Sequence, residues 1–200
     1  MNSRYQKLHF FTSAHNLTQL PPDEGREIAF AGRSNSGKSS ALNAIGRQKN
    51  LARTSKTPGR TQLINFFLLE PGYYLVDLPG YGYAKVPESV RQHWRHSLQR
   101  YFNERNALCG LILLMDIRHP LTDLDRQMLA WCDYRDLPSH TLLTKADKLR
   151  RGPALATLNK VQRSLAQDYR CASAQLFSSV AMTGLQEACS KLDEWFFSSA

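Results

Sequence analysis

"EIAFAGRSNSGKSS", residues 27–40, reads as an apolar strand that runs straight into a glycine turn and then a helix beginning near Lys38. Gly32 to Ser39 fits the spacing Gly-x-x-x-x-Gly-Lys-[Ser/Thr] between those two elements, where the pattern has a physical meaning. Glycines let backbone N–H groups turn toward phosphate oxygens, and the start of a helix adds partial positive charge. Lys38 is placed to neutralise β- and γ-phosphate charge and the Ser39 hydroxyl to ligate Mg²⁺. Arg33, Ser34, Asn35, Ser36 and Gly37 complete the loop, and Ser40 follows it.

On either side of this stretch, strand and helix patterns alternate. Lys7 to Thr12 is a candidate edge strand, followed by a Pro- and Gly-punctuated loop. Beyond the first helix, residues 47–61 form a long polar loop, and "QLINFFLLE" and "YYLVDL" flank Pro71-Gly72 as a hairpin. Helices are expected over Glu88 to Asn106, Thr122 to Tyr134 (capped by Thr122), Pro153 to Tyr169 and Thr183 to Phe197. Between them "GLILLMDI", "HTLLTKAD" and "AQLFSSV" read as strands. This order predicts an α/β fold whose sheet is mostly parallel with one antiparallel pair, and ligand loops at the strands' carboxyl ends.

Two hundred residues suit one compact domain, and 42% hydrophobic with 22% charged residues is ordinary globular composition. The long apolar stretch Leu111 to Ile117, broken by Asp116, is too short to span a bilayer, and the amino end lacks a signal-peptide pattern. A cytoplasmic monomer is expected. The four cysteines form no Cys-x-x-Cys pair, which disfavours a zinc ribbon or dithiol site and leaves buried free thiols. A net charge of +9 points to an anionic partner larger than a nucleotide.

Three further loops carry chemistry. "DLPG", residues 77–80, follows a strand, which places Asp77 beside the metal and the Gly80 N–H beside a γ-phosphate. "TKAD", residues 144–147, ends another strand; a carboxylate at Asp147 accepts from guanine N1–H and the 2-amino group, donors that adenine lacks in that arrangement. Lys145 can lay its stem over the base, and "FSSV", residues 177–180, can supply a backbone N–H to guanine O6. The loop over residues 46–61 holds Arg47, Lys49, Arg53, Lys56 and Arg60 and no acid, which suits a solvated tether or a nucleic-acid contact. At its end Thr61 is the first candidate for the hydroxyl that reaches Mg²⁺ in the triphosphate state, and Thr57 is the second. The "RQHWRH" cluster, residues 91–96, reads as a solvated helix face or an RNA rim, and "DIRHPLTDLD", residues 116–125, as a turn and helix cap.

Taken together, "GRSNSGKSS", "TPGRTQLINFF", "DLPGYGYAKV", "DIRHPLTDLD", "LTKADKL" and "FSS" resemble the EngB (YihA/YsxC) family of bacterial Ras-like GTP-binding proteins over essentially residues 6–197. The resemblance implies a Ras-like P-loop GTPase fold, helices on both faces of the sheet, with an edge strand and loop over residues 1–25 and the G domain over 26–200. It implies GTP or GDP as ligand, Mg²⁺ as metal, and a role in assembly of the large ribosomal subunit, through its rRNA or proteins, and in normal septation and cell division. Gly32 to Ser39 and Gly80 match the family's phosphate loops, with Asp77, Leu78 and Pro79 leading to Gly80. Ser39 and Thr61 match its metal ligands, with Gly59 and Arg60 preceding Thr61. Thr144, Lys145, Ala146 and Asp147 match its base loop, with Phe177, Ser178 and Ser179 behind. The commoner GTPase pattern has Asn where Thr144 stands.

The position after Gly80, where many GTPases use a glutamine to aim water, carries Tyr81. Its ring must turn away from the γ-phosphate, so unaided hydrolysis is expected to be slow, on the order of 10⁻⁴ s⁻¹ as in Ras-like proteins. Catalysis then falls to charge stabilisation by Lys38 and the Gly80 N–H. Asn35 resembles the residue that holds K⁺ in cation-activated GTPases; its other reading is a turn Asn bonded to its own loop. Two rival functions remain: an ATP-dependent kinase or ATPase on the same phosphate loop, and a nucleotide-gated module at the division septum.

Overall fold

The computed structural model describes residues 3–52, 63–81 and 88–198, without the side chains of 88–91 and 93–95. Seven strands, β1 (His9–Ala14), β2 (Arg26–Gly32), β3 (Ile64–Glu70), β4 (Tyr73–Asp77), β5 (Leu108–Asp116), β6 (Ser139–Thr144) and β7 (Ala172–Leu176), form one sheet in the order β1-β3-β4-β2-β5-β6-β7. β4, β2, β5, β6 and β7 pair in parallel. The expected hairpin is present: β3 runs antiparallel to β4, and β1 extends it on the other side of β3, also antiparallel.

The period-2 alternation of a strand distributes the core to both faces. From β2, Ala29 and Ala31 face one layer and Ile28 and Phe30 the other; from β5, Leu111, Leu113 and Met115 oppose Ile112 and Leu114. The first layer is closed by α2 (Glu88–Glu104), α3 (Asp123–Tyr134) and α4 (Arg151–Asp168), through Leu98, Tyr101, Phe102, Met128, Leu129, Val161 and Leu165. The second is closed by α1 (Lys38–Gly46) and α5 (Leu185–Phe197), through Leu42, Ile45, Leu192 and Phe196. Burying each such Leu or Phe side chain contributes about 1.5–3 kcal/mol. Helices therefore cover both faces and leave the carboxyl ends of the strands open for loops.

Several boundaries differ from the sequence reading for local reasons. Lys7 belongs to a 3₁₀ turn, Arg4–Lys7, because Tyr5 and Leu8 are drawn into the core and the Tyr5 hydroxyl donates to Asp193 at 2.9 Å. The edge strand starts after it, at His9. α4 begins at Arg151, ahead of Pro153, since a proline in the first turn lacks only an N–H that has no helical acceptor. α5 begins at Leu185, after Gly184 takes a left-handed conformation (φ 73°). Cys132 and Cys189 are buried free thiols as expected, but Cys109 is only partly buried and Cys171, in the turn before β7, is exposed. At the end of the sheet opposite the ligand loops, the fully buried Glu27 accepts from Arg105 Nε at 3.0 Å and from the Tyr101 hydroxyl at 2.9 Å. That cluster fixes the carboxyl end of α2 to the start of β2.

Candidate functional site

The carboxyl ends of β2, β4, β5, β6 and β7 release Gly32, Asp77, Asp116, Thr144 and Leu176 side by side. From Gly32 the chain turns into α1 through left-handed conformations at Asn35 (φ 63°) and Gly37 (φ 95°). The second is a conformation glycine adopts at little cost. Gly32 is required by close approach: a Cβ there would meet the Ser36 Oγ at 2.5 Å and the Leu114 carbonyl oxygen at 2.7 Å. α1 starts with no acidic residue in its first turn and no side-chain cap, so its first N–H groups stay open toward the loop. Lys38 forms an ion pair with Asp77, the last residue of β4. The Ser39 hydroxyl makes no hydrogen bond among the described residues. Neither does the Asn35 side chain, which is exposed, so the amide is not spent on its own loop; its left-handed backbone is one that Asn tolerates well.

The segment after Asp77 is tied to the phosphate loop backbone. Leu78 N–H donates to Phe30 O at 3.0 Å, Ser34 N–H to Tyr81 O at 2.8 Å, and Tyr81 N–H to Gly32 O at 3.3 Å. Gly80 passes over this junction: its missing Cβ would lie 3.4 Å from the Ser34 nitrogen. The Tyr81 side chain points inward, packs against the α2–α3–α4 layer, and donates its hydroxyl to Asp125 at 2.8 Å. Burial and then the Asp125 carboxylate hold that phenol protonated, well above its ordinary pKa. The expectation that the ring turns away is met. Asp125 also accepts from the Thr122 N–H at 2.9 Å and the Thr122 hydroxyl at 2.7 Å, as a helix-capping carboxylate does.

The base loop is built on β6. The buried Thr144 hydroxyl lies 2.5 Å from Ser36 O and 3.1 Å from Met115 O, so it links the phosphate loop to β5. Lys145, left-handed at φ 57°, reaches back with its ammonium to Asn35 O at 2.8 Å and Asp116 at 3.0 Å. Asp116 is also gripped by both arms of the Arg118 guanidinium at 2.9 and 2.6 Å. Chiefly that guanidinium, with Lys145 assisting, holds the Asp116 carboxyl well below the usual carboxylate range. Ala146 N–H donates to Phe177 O at 3.1 Å, and Phe177 N–H to Leu143 O at 2.9 Å. The Ser178 hydroxyl donates to Asp147 at 2.6 Å and is the main cause of that carboxyl's lowered pKa. Ser178's own N–H is already given to Thr183 O at 3.0 Å, so among Phe177 to Ser179 the amide left for a ligand is that of Ser179.

All four loops named from the sequence thus meet at one edge, apart from residues outside the description. Gly59, Arg60, Thr61 and Thr57 lie outside the described residues, as do Arg53 and Lys56 and most of the 91–96 cluster's side chains. Within residues 116–125, read from sequence as turn and cap, Asp116 braces Lys145 and Asp125 anchors Tyr81. No local pattern signals either contact, because the partners lie 29 and 44 residues away.

A mostly parallel sheet with a Gly-x-x-x-x-Gly-Lys-Ser loop, an Asp-x-x-Gly loop and a Thr-Lys-x-Asp loop on one edge defines a P-loop GTPase. A family model described as "50S ribosome-binding GTPase" matches residues 27–145. The probable GTP-binding protein EngB of Nitrosococcus oceani is 57% identical over 195 residues, covering 98% of each chain, and that of Mannheimia succiniciproducens 55% identical over 194 residues, covering 97% of this chain and 95% of the other. The chain belongs to the EngB family of GTP-binding proteins. The fold is shared with the crystal structure of a probable GTP-binding protein engB (TM-score 0.68, 18% identity, 85% of this chain and 98% of that one). It is also shared with a variant of Aquifex aeolicus Era bound to GDP·AlF₄⁻ (TM-score 0.67, 15% identity, 88% of this chain and 58% of that one).

Proposed function

We propose that this protein is a guanine-nucleotide switch that binds the large ribosomal subunit during its assembly in the cytoplasm, with slow GTP hydrolysis when alone and a consequent effect on septation. The observation that carries the nucleotide part is the Thr144 hydroxyl on Ser36 O, reinforced by Lys145 on Asn35 O, because these bonds join base loop and phosphate loop into one preorganised receptor. In it, Gly32 to Ser40 and Gly80 face the phosphates. Asp147, ionised and oriented by Ser178, accepts from guanine, with the Ser179 amide available to O6. Thr144 takes over by backbone tethering part of the positioning expected of an Asn side chain at that place.

The donor set suits Mg²⁺, a hard cation that takes oxygen ligands: the uncommitted Ser39 hydroxyl stands one residue after Lys38, with Asp77 paired to that lysine. Thr61 completes the set in this reading. When bound, the metal neutralises phosphate charge; Lys38 then exchanges Asp77 for phosphate oxygens, and the Gly80 N–H binds the γ-phosphate. With the Tyr81 phenol committed to Asp125, no side chain at that position orients water, which supports a slow intrinsic rate. The uncommitted Asn35 amide supports a K⁺ ligand there.

The ribosomal part rests on the family description, on the net charge of +9, and on the acid-free run of five cations over residues 46–61. The protein acts as a monomer in this reading, and no helix among the described residues is long and apolar enough to cross a membrane. Competition of GTP and ATP for the purified protein tests the nucleotide assignment. A large excess of ATP should leave bound GTP in place, whereas equal competition would return the site to the ATPase reading.

A further inference from the structure

Residues 148–167 hold Lys148, Arg150, Arg151, Lys160 and Arg163 and no Asp or Glu. Lys148 has Asp147 at 3.6 Å, but Arg150, Arg151, Lys160 and Arg163 make no ion pair or side-chain hydrogen bond among the described residues. Several described cations elsewhere sit beside an acid: Arg100 beside Glu104, Arg105 beside Glu27, Arg118 beside Asp116, Arg126 beside Asp168, Arg170 beside Asp133 and Asp136, and Lys191 beside Glu194, whereas Lys7, Arg33 and Lys49 have no such pair among the described residues. Among the described residues, α4 and its cap thus carry four cations with no acid beside them, next to the base loop.

The geometry of α4 turns that charge outward. Its buried stripe is Ala154, Val161 and Leu165, packed in the core layer. At 100° per residue, Ala156, Asn159 and Arg163 lie opposite that stripe, Lys160 lies about 60° from Arg163, and Arg151 stands at the amino end about 60° from the stripe; all five are exposed. The helix starts with no acid in its first turn and no side-chain cap, so Arg150 and Arg151 add to the positive end of its dipole instead of offsetting it. Folding alone favours the opposite choice there.

We propose that the outer face of α4, from Arg150 to Arg163, docks on an RNA backbone; the inference rests on the ribosome-binding reading above and gives it a surface. Eighteen residues make a helix about 27 Å long, enough to follow several phosphates. The exposed side chains between Arg151 and Arg163 include Ala156, Asn159 and Gln162, which are small or polar, with Leu155 the one large apolar group among them. A lipid surface is disfavoured because the apolar stripe is committed to the core and has nothing to insert. An acidic protein is disfavoured because Leu155 is the only large apolar side chain exposed on α4, with no aromatic beside it to anchor a protein interface. Asp147 and Arg150 are joined by the 3₁₀ turn Ala146–Lys148 and Leu149, so the face is fixed to the nucleotide site.

The test compares the wild type with R151E/K160E/R163E and with a control of equal charge change on neutralised cations, R100E/R170E/K191E. Probes are a 20-base-pair RNA hairpin, purified large ribosomal subunits, and vesicles with about 30% phosphatidylglycerol; GTP affinity reports the fold. The α4 variant should bind GTP as the wild type does, bind hairpin and subunits at least about tenfold more weakly, and lose about 3 from the slope of log K against log salt. The control should stay within about twofold of the wild type. Equal losses in both variants, or no loss in the α4 variant, would overturn the surface, as would loss of vesicle binding with RNA binding intact. If the wild type binds neither hairpin nor subunits, the ribosome-binding reading itself is overturned.

Discussion

The Tyr81 hydroxyl donates to Asp125 at 2.8 Å, and Asp125 in turn caps α3 through Thr122. A residue at the position where a GTPase commonly aims water is thereby used to fasten the Asp-x-x-Gly loop to a helix. Tyr81→Phe removes one donor to a buried carboxylate, so chemical denaturation should show a loss of about 1–3 kcal/mol. Single-turnover GTP hydrolysis should stay within about twofold of the wild type at saturating nucleotide, since the phenol faces away from the phosphates. A change of tenfold or more would place the hydroxyl in the chemistry.

Thr144→Val keeps the shape of the side chain and deletes its bonds to Ser36 O and Met115 O. Two loops that must meet one ligand then lose their tie, and GDP and GTP should both bind about tenfold more weakly, equivalent to about 1.4 kcal/mol. Guanine preference over adenine should persist, because Asp147 and Ser178 are untouched. Calorimetric titration with GDP and ADP separates the two effects.

Asn35 offers a second handle on the rate. Hydrolysis should be faster in K⁺ than in Na⁺ at equal ionic strength, and Asn35→Ala should abolish the difference. Equal rates in the two salts would leave Asn35 as a residue chosen for its left-handed backbone.

A pH dependence follows from His140, which is buried on β6 with its ring nitrogens 2.7 Å from the Ser173 hydroxyl and 2.9 Å from Gln175. Gln175 also donates to Gly184 O at 2.6 Å, at the end of the loop that carries Ser178. Burial lowers the His140 pKa in the folded state. The unfolded chain therefore binds this proton first as pH falls, and the contribution is complete above the unfolded value of about 6.5 and lost toward the lower folded value. Urea denaturation between pH 7.5 and 5 should show stability falling over that window, and His140→Gln should flatten this part of the profile. An unchanged profile in the variant would assign the slope to other groups.

The phosphate loop, the β3–β4 hairpin and the Thr122 cap were legible because each is encoded within a short run of neighbouring residues. Thr144 was visible only as a departure from Asn; its bond to Met115 depends on β6 lying beside β5. The Asp116–Lys145 and Tyr81–Asp125 pairs were hidden for the same reason, since they form only after the sheet brings distant loops to one edge. The cations of α4 were passed over because they are spread along the helix and become a face only once it is placed. Tyr5 holds the amino end in a turn through its hydroxyl's bond to the far end of the chain, at Asp193.

The central claim is that Asp147, held by Ser178, reads guanine, and nucleotide preference in Asp147→Asn tests it most directly. The amide presents a donor where xanthine carries an oxygen at the 2-position, whereas it no longer accepts both guanine hydrogens. Measured by competition against labelled GDP, the variant should lose at least about tenfold in affinity for guanine nucleotide, about 1.4 kcal/mol, and gain measurable affinity for xanthosine diphosphate. Wild-type GDP affinity with no gain for xanthosine diphosphate would contradict the assignment.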